Sequence, residues 1–316
     1  LQEIMEMVVP PPDPTPRRAG KCLSSNTREI TLEINPDDIT EDYAAQLQKT
    51  WFNRFSIGIQ SFSDADLKYL NRTHSAAQAL HAVKILQDAG YSNISIDLIY
   101  GIPSSTSARW QKNLEIAFSL GVPHISAYAL TVEARTPLAW MIDRQRSAPV
   151  NEESQVAQFR MLMGKTKEEG FLQYEISNFC KPGHHAMHNT SYWKEIPYLG
   201  LGPSAHSYNG TGRRWNISNL SKYIGGMANG ECIYEEEVLN LSQKYNEYVM
   251  TSLRTMWGCD GGKIISDFGF AIYDSFTKVA FPMVGQGLLT ESAGVYFLTD
   301  EGKLFADRIA AELFLT

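Results

Sequence analysis

The chain has 316 residues, of which 43% are hydrophobic and 20% are charged. It is therefore long enough for two or three domains and too apolar for a disordered chain. The formal net charge is −7, and residues 231–316 carry 6 Lys and Arg against 13 Asp and Glu. This acidic region argues against nucleic acid or an anionic membrane as its partner.

The cysteines and the hydropathy pattern exclude further classes of protein. Cys22, Cys180, Cys232 and Cys259 are far apart and form no CxxC pair, so neither a disulfide framework nor a zinc site is predicted. No apolar run approaches the roughly 18 residues that cross a bilayer, and no signal-peptide pattern is present. We predict a cytoplasmic protein with reduced thiols and no transmembrane segment.

Residues 1–8 have helical spacing, and the Pro-rich stretch 10–21 follows them. The next segments alternate between strand and helix patterns. Strands are predicted at Glu29–Ile34, Arg54–Ile59, Asn93–Ile99 and His124–Leu130. Helices are predicted at Glu41–Lys49, Ser75–Ala89 and Ser107–Leu120, with Gly90 and Gly121 ending the last two. This alternation predicts βαβ units and a parallel sheet.

The pattern changes after about residue 140. Asn151–Gly170 is predicted to be a helix and Gln173–Ser177 a short strand, and Phe179–Asn219 is predicted to be irregular. From about residue 231 the predicted order is three helices, a hairpin and a final helix, which resembles a winged-helix module. The hairpin is Gly287–Leu298, with its turn at Ser292–Gly294. We read this module as a lid or packing domain.

We therefore predict an α/β protein with three domains: a partial parallel (β/α) barrel at 1–140, an α+β region at 141–230, and a winged-helix-like domain at 231–316.

Four polar residues follow or end the predicted strands. Glu33, Gln60 and Asp97 lie at successive strand ends, and Arg72 follows the second strand. The carboxyl ends of parallel strands meet at one rim, where such folds bind ligands. A guanidinium pairs with a carboxylate, a carboxylate with an ammonium, and Asp or Gln with a ribose diol. Singly each could be a capping or surface residue, but together they suit a zwitterionic ligand that carries a ribose.

Four segments carry a family resemblance: EITLEINPDD, RFSIGIQSFSDADLKYLNRTH, NISIDLIYGIP and HISAYALTVEARTPL. They resemble the radical-SAM barrel of oxygen-independent coproporphyrinogen III oxidases and their HemW relatives, and the similarity extends over most of residues 28–300. The resemblance implies that Glu33 contacts the amino group of S-adenosylmethionine and Arg72 its carboxylate, while Gln60 and Asp97 contact the ribose.

The same family carries a CxxxCxxC motif for a [4Fe–4S] cluster and a GGGTP motif, and neither is present in this sequence. The four cysteines lack the required spacing, so no cluster ligand is assigned within this chain. We expect the missing motifs to belong to an upstream segment, which would complete the barrel with its first strands. An electron donor for the cluster is then an implied partner.

One further motif separates the two family types. Residues 188–193 read HNTSYW and match the HNxxYW pattern that marks the heme-chaperone type. Imidazole is a common axial ligand of heme iron, so His188 is the predicted heme ligand. His184, His185 and His206 are lesser candidates. A loop histidine that only satisfies local hydrogen bonds is the plain alternative for each of them.

The segment YLGLGPSAHSYNG and the arginines that follow it also resemble the family pattern. Arg213 and Arg214 could pair with porphyrin propionates or could simply face solvent. The resemblance favours a heme chaperone that delivers heme to an acceptor protein. The alternative is an enzyme, the oxygen-independent oxidase that decarboxylates coproporphyrinogen III to protoporphyrinogen IX. Turnover of that substrate, as opposed to retention of heme, separates the two.

Overall fold

A computed structural model describes residues 29–315. The helix predicted at 1–8, the Pro-rich stretch 10–21 and Cys22 lie outside this range. The described residues form two compact units, one of 29–173 with 177–185 and one of 174–176 with 186–315. The three-domain division stays a prediction.

The first unit is built on a six-stranded sheet with the order β1-β2-β3-β4-β6-β5. Its strands are β1 (Thr31–Ile34), β2 (Arg54–Gln60), β3 (Ile94–Tyr100), β4 (His124–Ala129), β5 (Leu172–Glu175) and β6 (Asn178–Cys180). Strands β1 to β4 are parallel, whereas β6 runs antiparallel to β4. The parallel sheet and its four strands are confirmed.

Six α-helices accompany these strands within the described part of this unit. They are α1 (Glu41–Leu47), α2 (Asp64–Tyr69), α3 (Ala76–Asp88), α4 (Ser107–Ser119), α5 (Pro137–Asp143) and α6 (Glu152–Glu168), and a 3-10 turn spans Pro36–Asp38. Ser75 and Gln78 form a capping box that starts α3. Gly90 and Gly121 follow α3 and α4 with φ of 90° and 65°, which confirms the predicted stops.

The sheet has one apolar and one polar face because its strands alternate. Phe55, Ile57, Ile96, Leu98 and Ile125 are fully excluded from solvent and share the apolar face. Their neighbours along the same strands point the other way and are mostly Ser, Asp, Arg and His, together with Gly58 and Ile99. The apolar face forms the core of the unit and leaves the opposite face for polar chemistry.

The second unit contains two small sheets. The first comprises β7 (His206–Tyr208), β8 (Gly212–Asn216) and β9 (Tyr234–Val238), in the order β7-β8-β9. The second comprises β10 (Cys259–Asp260), β11 (Leu289–Ser292) and β12 (Val295–Leu298), in the order β10-β12-β11. The hairpin occurs where it is predicted, with Ala293 and Gly294 at φ of 52° and 82° in its turn.

The helices of this unit are α7 (Met187–Trp193), α8 (Leu220–Ala228), α9 (Leu241–Leu253), α10 (Gly261–Phe268), α11 (Phe270–Gly285) and α12 (Ala306–Glu312), with a 3-10 turn at Gly302–Phe305. Side chains from α9 to α12 and from the hairpin form one core around Tyr245, Val249 and Phe276. Two predictions were wrong here: the stretch predicted to be irregular contains β6, α7, β7 and β8, and the first helix after residue 231 is preceded by β9. No helix in residues 29–315 combines the length and apolarity that crossing a membrane requires.

Candidate functional sites

The first candidate site lies on the polar face of the parallel sheet. Glu33 on β1 is in register with Ser56 on β2, and Asp97 on β3 is in register with Ser126 on β4. The Ser56 hydroxyl donates to the Asp97 carboxylate, with Oγ–Oδ2 and Oγ–Oδ1 distances of 3.2 and 3.4 Å. Ser56 is in register with Ser95, two residues before Asp97, so Glu33 and Asp97 lie on the same face of the sheet.

The pKa of Asp97 is raised to about 6, chiefly by burial and in smaller part by the negative charge of Glu33. Hydrogen bonds from Ser126 and Ser56 and the charge of Arg54 act in the opposite direction. Within residues 29–315, no Lys or Arg nitrogen lies within 4 Å of the Glu33 or Asp97 carboxylate. The pair therefore suits a cationic ligand with hydroxyl groups, since an ammonium would relieve the repulsion and a diol would bond to Asp97.

Gln60 ends β2 in an unusual backbone conformation. Its φ is 66°, and the β2–β3 register shifts between Ile57 and Gln60. The buried side chain folds back along its own strand, so that a Cβ added at Gly58 would lie 2.8 Å from Gln60 Nε2. A side chain at position 58 would displace the Gln60 amide from this place, and the bulge lies at the carboxyl end of the strand.

A buried carboxylate fixes the segment that follows Gln60. Asp66 is completely buried and accepts hydrogen bonds from Ser61 Oγ at 3.0 Å, Ser105 Oγ at 3.3 Å and Arg109 Nη1 at 2.8 Å. Asn113 on α4 donates to the Ser61 hydroxyl and accepts from the Phe62 amide. This network ties the loop after β2 to the loop after β3.

Arg72 lies apart from the sheet face, on the exposed loop after α2. Asn71, at φ of 54°, lets the Arg72 amide turn back to the Leu67 carbonyl, as in a Schellman cap. The Thr73 hydroxyl donates to Asp37 at 2.6 Å and is the main cause that lowers the pKa of Asp37, with the Arg72 charge contributing. Arg72 is thus placed beside the end of β1.

His124 is buried on the same polar face, at the start of β4. Its Nδ1 lies 2.7 Å from the Ser95 hydroxyl. Burial lowers the pKa of His124 well below its ordinary value, and the positive charge of Arg54 adds to the effect. The imidazole is therefore neutral in the folded state.

Asp97→Asn is expected to stabilise the protein at pH 8 by about 1–2 kcal/mol relative to the parent. The folded-state pKa of about 6 exceeds the ordinary 3.8, so the folded protein binds more protons between those values and loses stability as the pH rises through that window. The gain should therefore vanish near pH 4. Urea unfolding of both proteins at pH 4, 6 and 8 measures it.

The comparison between variant and parent also removes the opposite contribution of His124. A depressed histidine pKa costs stability as the pH falls below about 6.5, and His124 is present in both proteins. A stability difference that does not change with pH would show that Asp97 titrates normally.

The second candidate site is built on α7 in the other unit. His188 and Tyr192 lie one turn apart on α7. His188 Nε2 and the Tyr192 phenol oxygen are hydrogen-bonded at 2.8 Å, and the two rings pack edge to face with their centroids 4.9 Å apart. Asn189 and Trp193 form a second pair, in which the indole Nε1 donates to Asn189 Oδ1 at 3.1 Å. The motif thus contains two i, i+4 pairs on neighbouring faces of one short helix.

The Asn189–Trp193 pair anchors the helix. Asn189 Nδ2 reaches the hydroxyl of Tyr174, which is fully buried, at 3.4 Å. The Arg254 guanidinium lies 5.5 Å from the Trp193 ring centroid and also pairs with Glu175 at 3.2 Å. The partly buried Asn189–Trp193 pair holds α7 in place, whereas the His188–Tyr192 pair is exposed.

Aromatic and apolar side chains extend from His188. Tyr192 packs on Tyr198 at 4.6 Å, and Tyr198 packs on Tyr208 at 6.3 Å. Several large apolar side chains of this segment are also exposed: Met187, Ile196, Leu199 and Leu201. An imidazole beside aromatic rings and exposed apolar side chains is chemistry that suits a large planar ligand with a metal at its centre.

Comparison with known proteins identifies the family. A model of the radical SAM superfamily matches residues 11–126. The heme chaperone HemW of Haemophilus influenzae is 31% identical over 290 residues, which cover 91% of this chain and 74% of that protein. The chain belongs to the HemW family. The HemW of Bacillus subtilis is 29% identical over 287 residues, covering 90% of this chain and 76% of that one.

The fold agrees with the HemW assignment. A solved structure of coproporphyrinogen III oxidase (HemN) from Escherichia coli, a radical SAM enzyme, matches with a TM-score of 0.73 over 90% of this chain and 69% of that one. At 20% identity this likeness concerns the fold alone. The radical-SAM fold with a parallel sheet is confirmed, and the winged-helix likeness stays a prediction.

The structure brings together part of the four-residue set predicted in this HemW-family chain. Glu33 and Asp97 lie on one face, and Gln60 ends the strand between them. The prediction that Asp97 ends its strand was wrong, because apolar Leu98 and buried Tyr100 continue β3 beyond it. Arg72 occupies a separate loop. Their roles toward S-adenosylmethionine stay predictions.

The other predicted heme contacts have different surroundings. His184 and His185 belong to the first unit, whereas His206 on β7 is exposed and stacks on Trp215 at 5.9 Å. Arg213 is already paired with Glu247, and the guanidinium of Arg214 lies 4.6 Å from the Tyr234 ring centroid. Arg213 would have to leave its partner to bind a propionate.

The residues described here do not fit an iron–sulfur cluster. Burial raises the pKa of Cys180 to about 11 and of Cys259 to about 12, which disfavours thiolate ligands. Cys232 is exposed. In residues 29–315 no three His, Cys, Asp or Glu side chains are grouped to hold a metal ion.

Proposed function

We propose that the chain is a cytoplasmic heme chaperone of the HemW type, which binds heme through His188 and transfers it to an acceptor protein. The observation that carries the proposal is the arrangement of HNTSYW. Asn189 and Trp193 anchor the helix, while His188 and Tyr192 are exposed beside further aromatic and apolar side chains. A chaperone needs an accessible ligand, because the heme must leave again.

The first unit is proposed to bind S-adenosylmethionine. Glu33 would hold the ammonium group, Asp97 and Gln60 the ribose, and Arg72 the carboxylate. Two observations support this proposal: the raised pKa of Asp97 on the face that it shares with Glu33, and the bulge at Gln60. A [4Fe–4S] cluster and its electron donor are proposed for the full-length protein, since its ligands do not lie among residues 29–315.

Two measurements on the full-length protein test the function. Heme is titrated and followed by the Soret band, and reduced protein with S-adenosylmethionine is incubated with coproporphyrinogen III. The expected result is saturable heme binding without decarboxylation. Formation of protoporphyrinogen IX without heme retention would make the protein an oxidase and overturn the proposal.

A further inference from the structure

The Tyr192 phenol is hydrogen-bonded to Nε2 of His188, one of the two imidazole nitrogens that can ligate a metal. The phenol oxygen lies 2.8 Å from His188 Nε2. Either Nε2 accepts the phenol proton, or Nε2–H donates to the phenol oxygen, depending on the tautomer. In both cases Nε2 must lose this hydrogen bond before it can coordinate iron.

The packing of Tyr192 holds its phenol close to His188 Nε2. Tyr192 follows His188 by one turn of α7, and its ring packs edge to face on Tyr198 at 4.6 Å. Trp193, the next residue, is fixed by Asn189 on the anchored face. The phenol therefore remains beside the imidazole when the hydrogen bond opens.

We propose that Tyr192 competes with heme iron for His188 Nε2 and thereby speeds the release of heme to the acceptor. The inference rests on the proposed function and adds the residue that makes bound heme transferable. A net hydrogen bond between exposed groups is weak, so the competition accelerates release by roughly two- to tenfold and does not prevent binding.

Tyr192→Phe tests the inference, because it keeps the ring and removes only the hydroxyl. Tyr43→Phe is the matched control, since it removes the same hydroxyl from a tyrosine on α1 of the first unit, outside the proposed heme site. Full-length proteins are loaded with heme, and its transfer into excess apomyoglobin is followed by absorption. We expect Tyr192→Phe to slow transfer by roughly two- to tenfold with an unchanged Soret maximum, and Tyr43→Phe to match the parent.

Three results would overturn the inference. Unchanged or faster transfer from Tyr192→Phe would show that the phenol does not compete. A shifted Soret maximum in that variant would make Tyr192 an iron ligand. Equal slowing by Tyr43→Phe would indicate a general effect of removing hydroxyl groups. If the parent retains no heme, the proposed function fails and the inference falls with it, whereas normal heme binding with unslowed transfer rejects the inference alone.

Discussion

Replacement of His188 by alanine in the full-length protein is expected to shift the Soret band of bound heme and to weaken heme retention by roughly tenfold or more. The variant loses the proposed axial nitrogen, while the aromatic and apolar side chains around it remain. Binding should therefore weaken without disappearing, because packing of the macrocycle contributes separately. Heme titration and the absorption spectrum of the loaded protein measure both effects.

His81→Ala is the matched control for this experiment. His81 lies on the solvent-exposed side of α3, in the first unit. The substitution removes an imidazole that is also exposed on a helix. The spectrum and the heme affinity of this variant should therefore equal those of the parent. If both variants lost heme alike, the effect of His188→Ala would reflect destabilisation. Unchanged spectra in His188→Ala would reject the assignment, and His206 would become the next candidate.

The first part of the fold could be predicted because its signals are local. Alternation along β2 to β4 and apolar spacing in α3 and α4 are properties of single segments. The short helices α2, α5 and α7 have six or seven residues each, too few for a clear period. Helix α7 instead depends on its side-chain pairs and on Tyr174, which the sequence places far from it.

Strand β9 shows why composition misled the prediction near residue 231. Its three consecutive glutamates favour a helix by intrinsic propensity. In the folded unit, Glu236 and Glu237 lie opposite Arg214 and Arg213 on β8. Opposite charges across an antiparallel pair stabilise a sheet, and this partner is invisible within the segment itself.

The residues of the candidate sites also differ in whether the sequence alone predicts them. Glu33 and Gln60 could be found from the sequence, because they lie near the ends of recognisable strands. The Asp66 network could not, since its partners come from three separate segments. One signal was present: Asn113 lies on the buried face of α4, between Trp110 and Ala117. A polar residue at such a position requires a buried partner.

Asp66→Ala is therefore expected to destabilise the first unit strongly, lowering the free energy of unfolding by about 3–5 kcal/mol. The carboxylate is fully buried and bonded to Arg109, Ser61 and Ser105. Its removal leaves a partly buried guanidinium without its counter-ion and frees the loop after Gln60.

Asp88→Ala is the matched control, because it breaks an exposed ion pair with Lys84 and should cost less than about 1 kcal/mol. Urea unfolding of both variants measures the difference, and S-adenosylmethionine binding by the full-length Asp66→Ala protein should also weaken. Equal costs for the two variants would contradict the view that the Asp66 network holds the Gln60 loop.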